Sequence, residues 1–223
     1  MEFVIGELFK YNENIEATEE LTPSFQLVME KTLGKDVPTK FGDVDYMFSI
    51  TLFTEPLKEF LIRIFENLEK PTVLPLPLVK GFGFGKTHSI ILVWHLFTNE
   101  RAINHLPRDI LECIRGVDLQ KVFKCTLVLG YDASNEKIPF LSTLVEQLKA
   151  YANIDMLGTM KDSNVVQALI DTLRLYKESV LTRDYSKVVE VIRNFADKCK
   201  RQGTTPRIVL LIDELGLGII KRV

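Results

Sequence analysis

Between Val73 and Phe97 the chain reads as an apolar run, a glycine-rich turn and a second apolar run of helical character. The turn is Val79-Lys80-Gly81-Phe82-Gly83-Phe84-Gly85-Lys86-Thr87-His88. Strand, glycine-rich turn, Lys-Thr and helix is the order that a phosphate-binding loop requires. Glycines let backbone N–H groups approach phosphate oxygens without a Cβ in the way. The start of the following helix adds free donors and the positive end of its dipole. On this reading Gly81, Phe82, Gly83, Phe84, Gly85, Lys86, Thr87 and His88 line the site. Lys86 supplies a point charge to the β- and γ-phosphates and Thr87 a hydroxyl to Mg²⁺. The pattern G-x-x-x-x-G-K-[ST] is matched except at its entry, where Lys80 stands in the glycine's place and Gly81 follows one residue late. The dinucleotide pattern G-x-G-x-x-G fails, because its third glycine would fall on Lys86. A tight turn between two buried elements is the plainer alternative, and a Lys-Thr pair at the helix start weighs against it.

A second signal lies near the C-terminus, in Arg207-Ile208-Val209-Leu210-Leu211-Ile212-Asp213-Glu214-Leu215-Gly216. Five consecutive aliphatic residues before Asp-Glu predict a fully buried parallel strand that ends in two carboxylates. Open α/β sheets bind ligands beyond the carboxyl ends of their strands. Asp213 is therefore the candidate Mg²⁺ ligand with Thr87. Glu214, with Lys86, is the candidate catalytic residue, positioned to orient and deprotonate water. Taken alone, Asp-Glu after a strand reads as a helix cap or a solvated turn. Paired with the loop it reads as a Walker B motif.

The 223 residues, 46% of them hydrophobic, suffice for an α/β domain with a sizeable core. A net charge of −2 gives no nucleic-acid footprint. Cys113, Cys125 and Cys199 are widely spaced and suggest neither a disulfide framework nor a zinc site. Of His88, His95 and His105, at least two read as core or surface residues. The acidic start and the lack of a long apolar run predict a cytoplasmic protein with no membrane contact.

Helices are expected from Ser24 to Leu33, capped by Thr22 or Ser24, and from Thr54, with Leu57, Phe60, Leu61, Ile64, Phe65 and Leu68 at amphipathic spacing. Pro75 and Pro77 confine the strand before the loop to Leu76–Lys80. A short helix is expected over Arg108–Arg115, a buried strand over Val122–Gly130, and helices over Pro139–Tyr151, from Ser163 and from Asp184. This alternation predicts a parallel sheet with covered faces.

Here the chain resembles the N-terminal part of large prokaryotic AAA+-type ATPases, a group that includes the ATPase component of bacteriophage-exclusion defence systems. Gly81 to His88, followed by Trp94-His95-Leu96, carries most of the likeness. Asp45 to Thr54, Leu127-Val128-Leu129-Gly130 and Leu211 to Leu215 are similar to the group's segments as well. Lys80 for the first glycine and Phe84 for a small residue are departures. The resemblance implies a P-loop NTPase three-layer α/β sandwich with a parallel sheet over 71–223, truncated after the Walker B strand. A small, mostly helical segment over 1–70 precedes it. It further implies ATP and Mg²⁺ as ligands and hydrolysis in an intact protein longer than this chain. A protein or DNA client and an oligomer are implied through regions not contained in it. The alternative reading is a degenerate, non-hydrolysing P-loop domain that serves as an interaction or regulatory module.

Overall fold

The computed structural model describes residues 23–68, 76–78, 85–119, 126–134 and 207–214, with residues 143, 144, 147, 193, 194, 196, 197, 200 and 201 of further helical segments. In chain order the described elements are α1 (Phe25–Thr32), α2 (Val44–Ser49), α3 (Glu55–Leu68), α4 (Lys86–Thr98), α5 (Arg108–Cys113), β1 (Thr126–Asp132) and β2 (Arg207–Asp213). Short 3₁₀ turns cover Lys40–Gly42 and Ala102–His105. The strands pair in parallel, with Thr126 opposite Arg207 and Asp132 opposite Asp213.

Local chemistry sets most of these boundaries. Ser24 caps α1 by accepting from the Leu27 N–H, which settles the choice between Thr22 and Ser24. Asp43 caps α2 in the same way through the Tyr46 N–H, at 2.8 Å. Pro56 sits inside the first turn of α3, where its missing N–H leaves no carbonyl unsatisfied.

The core is organised around α4. Every residue from Ile90 to Thr98 is buried, so this helix is covered on all sides. It packs on α1, α2, β1 and β2. Trp94 is fully buried, meets Phe25 edge-on at a centroid distance of 5.7 Å, and donates its indole N–H to Thr32 Oγ1 at 2.9 Å. His95, also buried, holds the Phe41 carbonyl through Nε2 at 2.7 Å. The helical segment before the loop is thus hydrogen-bonded to α4 by side chains as well as packed on it.

Four expectations change. The strand expected over Val122–Gly130 runs on to Asp132. All seven residues of β1 are buried, but β2 alternates: Leu211 and Asp213 are buried on one face, and Leu210, on the other, is 41% exposed. The expectation of full burial holds for β1 and fails for β2, because α4 covers only one of its faces among the described residues. Leu76, Pro77 and Leu78 form no strand. Pro77 has no N–H to give a ladder. The helix expected over Arg108–Arg115 ends at Cys113. Residues 79–84, the helix expected from Ser163, and most of those over Pro139–Tyr151 and from Asp184 lie outside the described residues, whose helical members at 143, 144, 147, 193, 194, 196, 197, 200 and 201 agree with two of these helices.

Candidate functional site

The amino end of α4 and the carboxyl ends of β1 and β2 meet. Gly85 stands at the N-cap of α4 with φ 72° and ψ 25°, a left-handed conformation that favours glycine. A Cβ built there would meet no described atom within 4 Å, so the glycine answers a backbone demand rather than a crowded site. Ser89 is the first residue to close the helix, its N–H reaching the Gly85 carbonyl at 2.9 Å and its hydroxyl the same oxygen at 2.8 Å. The preceding N–H groups of the first turn have no intrahelical acceptor.

The Thr87 side chain reaches the carboxylate of Asp213 and favours its charged form. The two residues are far apart in sequence and are brought together because β2 ends beside the first turn of α4. Asp213 is only 3% exposed. Burial pushes its carboxyl above the ordinary range, and the charges of Asp132 and Glu214 push the same way; the Thr87 hydroxyl and the Glu214 N–H pull against them. No salt bridge reaches Asp213 among the described residues.

Asp132 stands opposite Asp213 in the strand register and is also buried. Its Oδ1 accepts from the Ser134 N–H at 3.0 Å and the Ser134 hydroxyl at 2.6 Å. The Ala133 N–H bonds the Asp213 carbonyl at 3.0 Å and carries the ladder one step past the strand ends. Glu214 follows with φ 52°, the one non-glycine residue of positive φ among those described. Its N–H closes onto Asp213 Oδ1 at 3.0 Å.

Lys86 is the first residue of α4 and half-buried. His88 turns to a different partner: its Nε2 lies 2.8 Å from Thr51 Oγ1, and burial lowers its pKa. Gly81, Phe82, Gly83 and Phe84 lie outside the described residues. The structure thus gathers Gly85, Lys86, Thr87 and His88 with Asp213 and Glu214 at one end of the sheet. Asp132 and Thr51 are the site-adjacent residues that sequence reasoning missed. Asp132 was legible had the strand been extended two residues past Gly130; nothing in the sequence links Thr51 to His88.

Among the described residues, no group of three His, Cys, Asp or Glu side chains could hold a metal ion. The expected pair of donors, the Asp213 carboxylate and the Thr87 hydroxyl, suits Mg²⁺, which keeps several waters and takes phosphate oxygens as ligands. No helix of the described residues is long and apolar enough to cross a membrane.

The amino end of α4, the carboxyl ends of the two parallel strands and the buried Asp132 and Asp213 thus lie together. The chain belongs to the DUF499 N-terminal domain family, a domain of unknown function, whose model matches residues 11–219. No curated protein and no solved structure matches it.

Proposed function

We propose that this chain is the magnesium-nucleotide-binding module of an AAA+-type P-loop ATPase, with the γ-phosphate of ATP hydrolysed in the intact protein. The observation that carries the reading is the meeting of the Thr87 side chain with the Asp213 carboxylate. It joins the Lys-Thr of a glycine-rich turn to the carboxylate ending an aliphatic strand, which is the pairing a Mg-nucleotide site requires. The burial of Asp213 beside the charges of Asp132 and Glu214 supports it further, since a divalent cation offsets negative charge gathered there.

In this reading the first-turn N–H groups of α4 and the Lys86 ammonium bind phosphate oxygens. Thr87 and Asp213 hold Mg²⁺, directly or through water. Bound there, the ion would neutralise charge on the β- and γ-phosphates. Glu214 orients the attacking water and takes its proton on a carboxylate oxygen. Fixed donors and charges carry most of the rate in such a site.

Thermal unfolding with saturating MgATP is the test. A ligand at about 100 times its Kd adds about 2.7 kcal/mol, a shift of roughly 5–10 °C for a chain of this size. The shift should vanish in Lys86→Ala. A cooperative transition that MgATP leaves in place would sink the reading. The degenerate-module alternative, favoured by Lys80 and Phe84, is separated from it by Glu214→Gln. In an ATPase that variant keeps binding and loses turnover; in a degenerate module there is no turnover to lose.

A further inference from the structure

Thr51 lies at the end of α2, in the helical segment that precedes the loop, yet its hydroxyl contacts the first turn of α4. Thr51 Oγ1 is 2.7 Å from the Met47 carbonyl and 2.8 Å from His88 Nε2. A hydroxyl has one proton, and a carbonyl can only accept. Both contacts are hydrogen bonds only if Thr51 gives its proton to Met47 and His88 gives Thr51 the proton on Nε2. The pair therefore fixes both the ring orientation and the tautomer of His88, leaving Nδ1 without a proton in the neutral ring.

His88 immediately follows Thr87, whose side chain meets Asp213. Within one turn of helix, consecutive residues are thus anchored in opposite directions, Thr87 to the strand end and His88 to α2. Two further α4 side chains reach the same helical segment, Trp94 to Thr32 and His95 to Phe41, but they do so from the far half of the helix. Among the described residues, the Thr51–His88 bond joins that segment to the first turn of α4, beside Gly85.

We infer that Thr51 is a positioning residue for the candidate nucleotide site: by holding His88 through its hydroxyl it sets the first turn of α4, and so couples occupancy of the site to the α2 end of the helical segment. This rests on the nucleotide reading above. Linkage makes the coupling reciprocal. Bound MgATP slows amide exchange at residues 47–51, and loosening Thr51 weakens MgATP by the same factor.

The test uses the full chain and MgATP. Thr51→Val keeps the side-chain shape and removes the hydroxyl; it is expected to weaken MgATP about fivefold or more, the low end of ordinary coupling. Thr51→Ser, which keeps the hydroxyl, restores affinity, as a merely volumetric role would not require. In a His88→Phe background, Thr51→Val causes no additional loss, because the partner is already gone. His88→Phe alone leaves Thr51 bonded to Met47, so it serves if Thr51→Val does not fold, and it too must weaken MgATP. Imidazole ¹⁵N–¹H spectra of the ligand-free protein must show His88 protonated at Nε2, with that form no longer fixed in Thr51→Val. Wild-type affinity in the folded variants, or a His88 ring protonated at Nδ1, overturns the inference. A wild-type chain with no MgATP signal that depends on Lys86 overturns the nucleotide reading and this role together, while the imidazole spectra still report separately whether the contact exists.

Discussion

The Thr87 side chain meets the carboxylate of Asp213, and Asp132 stands opposite Asp213 in the strand register. A helix start and two strand ends thereby concentrate negative charge where the helix offers positive potential. This arrangement disfavours the charged form of Asp213 in the folded chain.

Asp213→Asn should therefore raise the melting temperature of the ligand-free protein at neutral pH. Asn keeps an acceptor for Thr87 and the Glu214 N–H but removes the buried charge. The sign follows from the raised carboxyl. Above about pH 4, where an ordinary Asp ionises, the unfolded chain releases this proton more readily than the folded one, so stability falls as pH rises through the raised value. The variant should lack that fall, and should also lose the MgATP shift of about 2.7 kcal/mol. A lower melting temperature for the ligand-free variant would contradict the charge argument.

Glu214 holds a left-handed conformation that costs a non-glycine residue about 1–2 kcal/mol. Glycine relieves it but loses about 0.5–1 kcal/mol of chain entropy on folding. Denaturant titration should find Glu214→Gly neutral to about 1 kcal/mol more stable, and Glu214→Val clearly less stable, since a β-branched residue tolerates positive φ worst. Equal losses in both variants would show that the conformation is not strained.

Gly130 is where α1 lies closest to the sheet. A Cβ there would stand 2.4 Å from Met29 Sδ and 2.7 Å from Phe25 Cζ, both in buried side chains. The Gly130 backbone is also clasped by the buried Gln147 amide, which accepts its N–H and donates to its carbonyl, each at 2.7 Å. Gly130→Ala should cost about 1–3 kcal/mol by overpacking, a fall of several degrees in melting temperature. An unchanged melting temperature would mean that α1 can move away freely.

Burial lowers the pKa of His95 and of His88, so both rings are neutral in the folded chain. The unfolded chain takes up protons at histidine below about pH 6.5. The stability that depends on these neutral rings is thus fully present above that pH and is lost as pH falls from it toward the lowered folded values. His95→Gln keeps a donor for the Phe41 carbonyl and removes one titrating ring. Melting temperatures at pH 8 and pH 5.5 should differ less in this variant than in the wild type; an equal difference would exclude His95 as a source.

Local rules were legible in the residues themselves. Ser24 and Asp43 are caps because a side-chain oxygen there reaches an N–H within one turn. The α3 stripe follows from helical spacing, and Leu61, Ile64 and Phe65 are its buried members. Lys86-Thr87 at a helix start and Asp213 at a strand end could be named from sequence because each motif is contiguous. Their meeting could not. It depends on where the chain returns after more than a hundred residues, and only packing of α4 on the strand pair brings Thr87 to Asp213. The same holds for Asp132, whose place opposite Asp213 is a matter of strand register, and for Thr51 on His88, a contact between two helices. Sequence determined what each segment forms, since that is decided by neighbours along the chain. Tertiary structure decided which carboxylates share a site and which residue steadies the helix start, since burial and charge act through space.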